Sequence, residues 1–461
     1  MIAGVAAGHP ATAEAGFEVL SDGGSAADAA VAASFASCVA ETVMTGLAGG
    51  GHAIYFDADG GHARLLDFFC AVPGLGAEPR DPELIEMEVP FGTELVHYAV
   101  GIASCAVPGV PAGLGALWRE HGRLPWPRLI EPAVRLARDG VPMPRAHASC
   151  LAMLAPVMTM REGERIYSPG GRLLEAGDTL SQPGLADALA VLADEGPESF
   201  YSGSLAEALL GLMDERGGLV TREDLLAYEP AWLDPVELDY AGARILTRAG
   251  VAPLGEALAR LRPLRGVSEP ERALVLVEAL AGEPLVDGHT TNLTAADTDG
   301  NACVLTTSLG LGSGDFLPGF DLHLNSMLGE TDLLVGPLEP GARMASMMAP
   351  TLALDGDGLV LAAGAAGGTR LRSALTQVLA GLLDEELGPQ AAVDRPRLHP
   401  AGDVVHLEPG FSAAVGEALE SRAKIVRFWP ETHHFFGGVS LLARSGPGAD
   451  PRRSGAALTL P

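Results

Sequence analysis

Small apolar residues and polar residues alternate along the chain at two different periods. Ile2-Ala-Gly-Val-Ala-Ala is a continuous small-residue run that predicts a strand, and Ala11 to Leu20 predicts a helix. Ser21-Asp-Gly-Gly is a turn, and Ser25 is placed to cap a long Ala-rich helix running to about Val43, interrupted only by Asp28 and Glu41. Gly46-Leu-Ala-Gly-Gly-Gly-His52 breaks that helix. Ala53 to Phe56 and Ala63 to Phe69 then read as a hairpin around Asp57-Ala-Asp-Gly-Gly. The glycines 49–51 precede a strand-like run rather than a helix, so they point to close backbone approach and not to a phosphate cradle.

The second half repeats this strand-and-turn logic. Thr290 to Ala296 alternates hydroxyl or amide residues with others, Asp297-Thr-Asp-Gly supplies turn chemistry, and Ala302 to Ser308 returns as a second strand. Asp321 to Met327 reads as a further strand. Thr351-Leu-Ala-Leu and Leu359 to Gly364 pair around Asp355-Gly-Asp-Gly, and a helix follows from about Leu371 to Leu383. Pro396 to His399, Val404 to Glu408 and Phe435 to Ser440 supply closing strands and helices. Strands and helices mixed with paired sheets imply an α+β fold. No repeat, low-complexity tract or charged linker divides the chain.

Composition narrows the function classes. The 461 residues carry a formal charge of −29, which disfavours nucleic acid and anionic membrane as partners, since both need clustered cations. One lysine, Lys424, stands among the 30 basic residues, and no function attaches to that bias. Five dispersed cysteines without CxxC spacing exclude a disulfide framework or a structural zinc site. The opening Met-Ile-Ala-Gly-Val has no basic n-region, and the Ala-rich run at 26–44 is too short to span a bilayer, so the expected location is cytoplasmic. Asp297-x-Asp299-x-Asn301 fails the calcium-loop pattern at Ala302 and Ser308, and His52, His323, His433 and His434 lack metal-ligand spacing. No metal or cofactor is expected.

Four segments in order carry candidate chemistry: Gly288-His289-Thr290-Thr291-Asn292, Gly310-Leu-Gly-Ser-Gly314, Arg343-Met-Ala-Ser346-Met-Met-Ala-Pro-Thr351 and Gly364-Ala-Ala-Gly367-Gly368-Thr-Arg370. In this order they resemble the small subunit of the γ-glutamyltransferase (γ-glutamyltranspeptidase) family of N-terminal-nucleophile (Ntn) hydrolases. Gly23-Gly-Ser-Ala-Ala-Asp-Ala-Ala30, Val107-Pro-Gly-Val-Pro-Ala-Gly-Leu114, Glu131 to Gly140 and Gly217 to Tyr228 resemble its large subunit. The resemblance fades over 245–288, where Thr247-Arg-Ala-Gly-Val-Ala-Pro-Leu-Gly255 stands instead of the family's longer segment.

This resemblance implies a four-layer αββα sandwich built jointly from residues 1–289 and 290–461, self-cleavage between His289 and Thr290, and Thr290 as nucleophile. A threonine hydroxyl needs a base within reach. A freed N-terminal amine, with a reference pKa of about 8, supplies one on the same residue. By the same resemblance Gly367 and Gly368 supply oxyanion donors, Ser308 a hydroxyl for the nucleophile, and Ser346 a substrate contact. Departures from the family fall on acyl recognition. Phe69 follows Asp67-Phe68 where an arginine would grip the glutamyl carboxylate, Met327 replaces a polar wall residue, Ala345 halves a Ser-Ser pair, and an Asn near Gly310 is missing. Glu330 stands for the Asp that receives the substrate amino group. The segment from Gly329 to Gly341 is too brief for the usual lid, which implies an open pocket, and Arg343 and Arg370 are the candidates to replace the lost cation.

The expected protein is therefore an amide hydrolase or acyl transferase working through an acyl-Thr290 intermediate, a heterodimer of its own two fragments. Its substrate is a small-molecule amide, with γ-glutamyl compounds as one candidate. A cephalosporin-type acylase and an uncleaved, non-catalytic binding homologue are the two alternatives.

Overall fold

The computed structural model describes residues 1–77, 82–91, 94–251, 253–282 and 290–461. His289 lies outside the described residues. Two antiparallel sheets stack face to face. The first has seven strands in the order Ala456–Thr459, Gly4–Ala7, Thr291–Ala296, Ala302–Ser308, Gly50–Asp57, His62–Phe68 and Ala231–Leu233. The second has six, Gly446–Ala449, Gly438–Ala443, Gly358–Ala366, Thr351–Asp355, Ala243–Thr247 and Val236–Tyr240. Ile54, Val304, Leu352, Ala362 and Leu442 fill the layer between them.

Helices cover both outer faces, giving the αββα order. On the first sheet the central cover is Ala26–Ala40, every residue of which is buried. Alanine at most positions lets this helix lie close on the sheet and on the helix Trp126–Asp139. Its start is fixed by a capping box, with Ser25 Oγ accepting from Asp28 N and Asp28 Oδ2 accepting from Ser25 N. It ends at Ala40, three residues before the expected Val43. On the second sheet the helix Arg370–Leu383 packs through Leu371, Ala374, Leu375 and Val378.

Thr291–Ala296 is the strand on which the two sheets interlock. Leu293 and Ala295 face the helical layer, while Asn292 and Thr294 face the second sheet. Asn292 Oδ1 accepts from Thr306 Oγ1 at 2.7 Å, Thr294 Oγ1 donates to the Ser440 carbonyl at 3.0 Å, and Ser440 Oγ donates to the Asn292 carbonyl at 3.2 Å. The hydroxyl-rich alternation in the sequence is thus a polar seam through an otherwise apolar layer. The Asp297 turn is pinned as well, because Asp297 Oδ2 accepts from Ala26 N at 3.0 Å.

The glycines 49–51 do serve close approach. A Cβ on Gly49 would lie 2.1 Å from the Ser308 carbonyl, and one on Gly51 2.3 Å from that of Thr306. Two of the later segments carry less strand than their sequence suggests. Asp321 to Met327 contains only the two-residue strand Leu322–His323, because Asn325 carries the backbone's work through its side chain. Its Oδ1 accepts from Ala106 N and Met327 N, and its Nδ2 donates to the carbonyls of Ala48 and Ala106. Phe435 and Phe436 lie in a 3-10 turn, and the strand starts at Gly438, since Gly437 has φ of 73° and presses on the Ala366 carbonyl.

Gly364→Ala tests the seam. The added methyl would fall 2.0 Å from Asn292 Oδ1, and overpacking at such a site costs about 1–3 kcal/mol. Urea unfolding should show that loss with an unchanged m-value; a neutral substitution would mean the seam yields.

Candidate active site

Thr290 precedes its strand by one residue and is buried, 5 % exposed. By strand alternation its side chain shares the inter-sheet side with Asn292 and Thr294, at the end of the sandwich. Thr290, Ser308, Ser346, Gly368, Glu330, Phe69 and Met327 line one narrow cleft, walled also by Leu333, Met347, Met348 and Leu371. Seven positions separated by up to three hundred residues in sequence therefore meet at one point.

Each is held by a local device. Phe69 is placed by the turn after the strand His62–Phe68, where Asp67 Oδ1 accepts from Phe69 N at 2.9 Å. Met327 begins a 3-10 turn and packs with Phe69, Leu333 and Met348 in one apolar cluster. Ser308 ends its strand, and its Oγ accepts from Gly310 N at 3.0 Å. Ser346 Oγ accepts from Met348 N at 3.2 Å. Gly367 and Gly368 leave the strand Gly358–Ala366 with φ of 127° and 58°, both in the left-handed half of the map. Their carbonyls accept from Arg370 N and Leu371 N, which fixes the turn at the N-terminus of the helix Arg370–Leu383. The positive end of that helix dipole therefore sits at the cavity, next to Gly368 and Leu371, where it favours a developing anion. Gly367 itself does not line the cavity; it packs against Gly437 and the Arg453 guanidinium.

Three expectations need correcting. The pocket is half closed. Leu333, on the 3-10 turn Thr331–Leu333 of the short segment, closes one wall, and Met327, Glu330 and Ser346 are all buried. Neither proposed cation reaches the cavity. Arg343 lies over the Tyr228 ring and donates to the carbonyls of Phe69 at 2.7 Å and Glu229 at 2.6 Å. Arg370 lies over the Phe435 ring and donates to the Phe435 carbonyl at 3.1 Å. Among the described residues, the only charged side chain lining this cavity is Glu330.

Two residues escaped sequence reading. Arg248 Nη1 donates to the Ser346 carbonyl at 2.9 Å, so the segment after Thr247, which resembled nothing, braces the back of the substrate wall. Glu41 is buried beside Thr290. Its Oε1 accepts from Thr12 Oγ1 at 2.7 Å and its Oε2 from Thr291 Oγ1. A lone carboxylate at the end of an Ala-rich buried helix was its sequence signal. Burial raises the Glu41 carboxyl to about 7, opposed by the hydrogen bonds from Thr291 and Thr12 and by the Arg453 charge. His52, stacked behind Phe69 at 5.5 Å, is held well below its ordinary value by burial and then by Arg248 and Arg343.

Comparison with known proteins decides the family. The sequence profile described as Gamma-glutamyltranspeptidase matches residues 12–282 and 268–460. The chain belongs to the γ-glutamyltranspeptidase family. It is 29 % identical over 497 residues to the Acylase ACY 1 proenzyme of Pseudomonas sp. (strain V22), covering 92 % of this chain and 87 % of that protein. It is 27 % identical over 476 residues to the Glutathione hydrolase proenzyme of Bacillus subtilis (strain 168), covering 86 % and 80 %. The crystal structure of cephalosporin acylase from Bacillus halodurans superposes with a TM-score of 0.83 at 25 % identity, covering 100 % of this chain and 96 % of that one. This γ-glutamyltranspeptidase-family chain is accordingly an Ntn-hydrolase enzyme, a hydrolase or acyltransferase in class. No helix among the described residues is long and apolar enough to cross a membrane.

Gly368→Val tests whether the Gly367-Gly368 turn holds an oxyanion. The glycine lines the cavity at a φ of 58°, which a β-branched residue resists. Losing an oxyanion donor costs about 10²–10³ in kcat. A kcat within about threefold of the parent would remove the turn from catalysis.

Proposed function

We propose that this protein is an amide hydrolase or acyl transferase that attacks through Thr290, after cutting its own chain between His289 and Thr290. The observation that carries the reading is the single cavity in which Thr290 meets Gly368, Ser308 and Ser346. Freed from His289, Thr290 would carry both hydroxyl and base. The amine takes the Oγ proton as Oγ adds to the amide carbon, the resulting oxyanion is held at the Gly367-Gly368 turn, and the amine returns the proton to the leaving nitrogen. Water or an amine then takes the acyl group from Thr290 by the reverse steps.

Self-cleavage is compatible with this fold because the halves are interleaved. Gly4–Ala7 pairs with both Thr291–Ala296 and Ala456–Thr459, and Ala243–Thr247 pairs with Thr351–Asp355. Fragments 1–289 and 290–461 would share both sheets and stay associated as a heterodimer. The relatives named as proenzymes support the same reading. Purified protein should give two fragments of those lengths, and Thr290→Ala should stay whole and inert; cleavage of that variant at the same bond would remove Thr290 from its role.

Substrate preference follows from charge. A γ-glutamyl group carries an α-carboxylate that an arginine could hold in a charge-assisted pair. Here Phe69 stands at the matching position, and Glu330 puts a carboxylate into a wall of Phe69, Met327, Leu333 and Met348. A substrate carboxylate buried there would be uncompensated and repelled. The favoured acyl group is therefore apolar, without a carboxylate, and tolerates an amine opposite Glu330. The likeness to acylases favours acyl groups other than γ-glutamyl as well. Losing the arginine contact is worth about 1.5–3 kcal/mol, or about one to two decades in kcat/KM. Butyryl and 4-aminobutyryl anilides should exceed both γ-glutamyl and glutaryl anilides by that margin. A clear preference for the γ-glutamyl compound would show that a cation reaches the site after all.

A further inference from the structure

Thr290 also borders a second, tighter pocket, which shares no other lining residue with the first. Its lining includes Gly8, Glu41, Thr291, Asn292, Asp450 and Arg453. We propose that Glu41 is a positioning residue for the nucleophile: its carboxylate holds Thr291 and stands as the counter-charge to the Thr290 amine when that amine takes up the Oγ proton. This rests on the Thr290 reading.

The geometry is specific to a carboxylate. Thr12 and Thr291 both donate to it, one to each oxygen, from the first helix and from the nucleophile strand. No side chain fits at position 8, where a Cβ would lie 2.7 Å from Glu41 Oε2. Thr291 is covalently next to Thr290, so the carboxylate fixes the backbone from which both the hydroxyl and the amine of the nucleophile project. Protonating Glu41 turns one of its oxygens into a donor and weakens that oxygen as an acceptor for its threonine.

The surroundings leave Glu41 as the group that switches near neutral pH. From the turn Pro451–Arg453 comes Arg453, cationic though depressed by burial, with Nη1 3.0 Å from Met44 Sδ. Asp450, beside it, is buried but kept ionised by Arg397 and Arg452. From the Ala-rich helix itself comes Cys38, whose thiol burial and then the Glu41 charge push far up. Across the Arg453 side chain lies His147, lowered to about 3 by burial and then by His9 and Arg453, and His9 is lowered to about 4 by burial. Glu41, raised to about 7, is the exception. An acid raised in the fold weakens stability as pH climbs from its ordinary 4.5 to about 7, so the ionised form that serves catalysis is the costlier one to fold.

The experiment measures kcat/KM for butyryl anilide from pH 5.5 to 9 on the self-cleaved enzyme. The parent should fall below pH 7 with a slope approaching two, one proton for Glu41 and one for the amine. Glu41→Gln should lose about ten- to a hundredfold at the plateau, as expected for a hydrogen bond to a charged acceptor, and keep a slope of one. Thr291→Val should lose a similar factor, and the double variant no more than the worse single one. Thr12→Val, which removes a bond that lowers the Glu41 carboxyl, should move the acid limb to higher pH. Glu41→Gln should also melt no lower than the parent at pH 8, which separates the effect from misfolding. A two-proton limb retained in Glu41→Gln, or losses that multiply in the double variant, would overturn the proposal. If Thr290→Ala still cleaves itself or turns over anilides, the nucleophile reading fails whatever Glu41 does. If that variant is inert and only the Glu41 results disagree, the Glu41 proposal alone falls.

Discussion

The structure depends on one strand having no spare room on either side. Thr291–Ala296 lies between its two neighbours in the first sheet, under a fully buried Ala-rich helix, and against the second sheet through hydroxyl and amide contacts. Gly364 across the seam has no space for a Cβ because Asn292 Oδ1 occupies it. Such a strand cannot slide by one residue without driving Leu293 into the polar seam and Asn292 into the apolar helical layer. Its first side chains are therefore fixed in direction: Thr290 toward the substrate cavity and Thr291 toward Glu41. The placement of Thr290 is a consequence of sheet register.

The same constraint explains why the fold is interleaved. Both sheets contain strands from before and after position 290, so breaking the chain there would remove a covalent link and leave the hydrogen-bonded ladders intact. Recognition is under weaker constraint. The turn at Asp67-Phe68-Phe69 and the 3-10 turns at 327–333 carry the wall of the cavity, and loops of this kind accept changed side chains without moving the strands. That division matches a γ-glutamyltranspeptidase-family chain in which Thr290 is held by the sheet and the cavity wall beside it is largely apolar.

What could be read from sequence followed the range of the interactions. The three hairpins and the helix after Gly368 are set by local turn chemistry and stand where periodicity put them, and the capped Ala-rich helix starts as expected and stops three residues short. Asp321 to Met327 failed because Asn325 replaces ladder bonds with side-chain bonds, which no two-residue period reveals. The expectation of an open pocket counted the length of a segment but not the depth to which Leu333 turns inward. Arg343 and Arg370 had the right charge near the right motifs, yet aromatic rings and backbone carbonyls hold them away from the cavity. The roles of Glu41 and Arg248 were missed for a related reason: the partners that define them here lie some 250 and 100 residues away in sequence.

The central claim is that Thr290 Oγ carries the acyl group. Turnover of butyryl anilide quenched in acid within a single cycle, followed by proteolysis and mass spectrometry, tests it directly. The account predicts a butyryl increment on the peptide that begins with a free Thr290, lost on standing at neutral pH. An increment on any other residue, or none on that peptide while turnover proceeds, would contradict it.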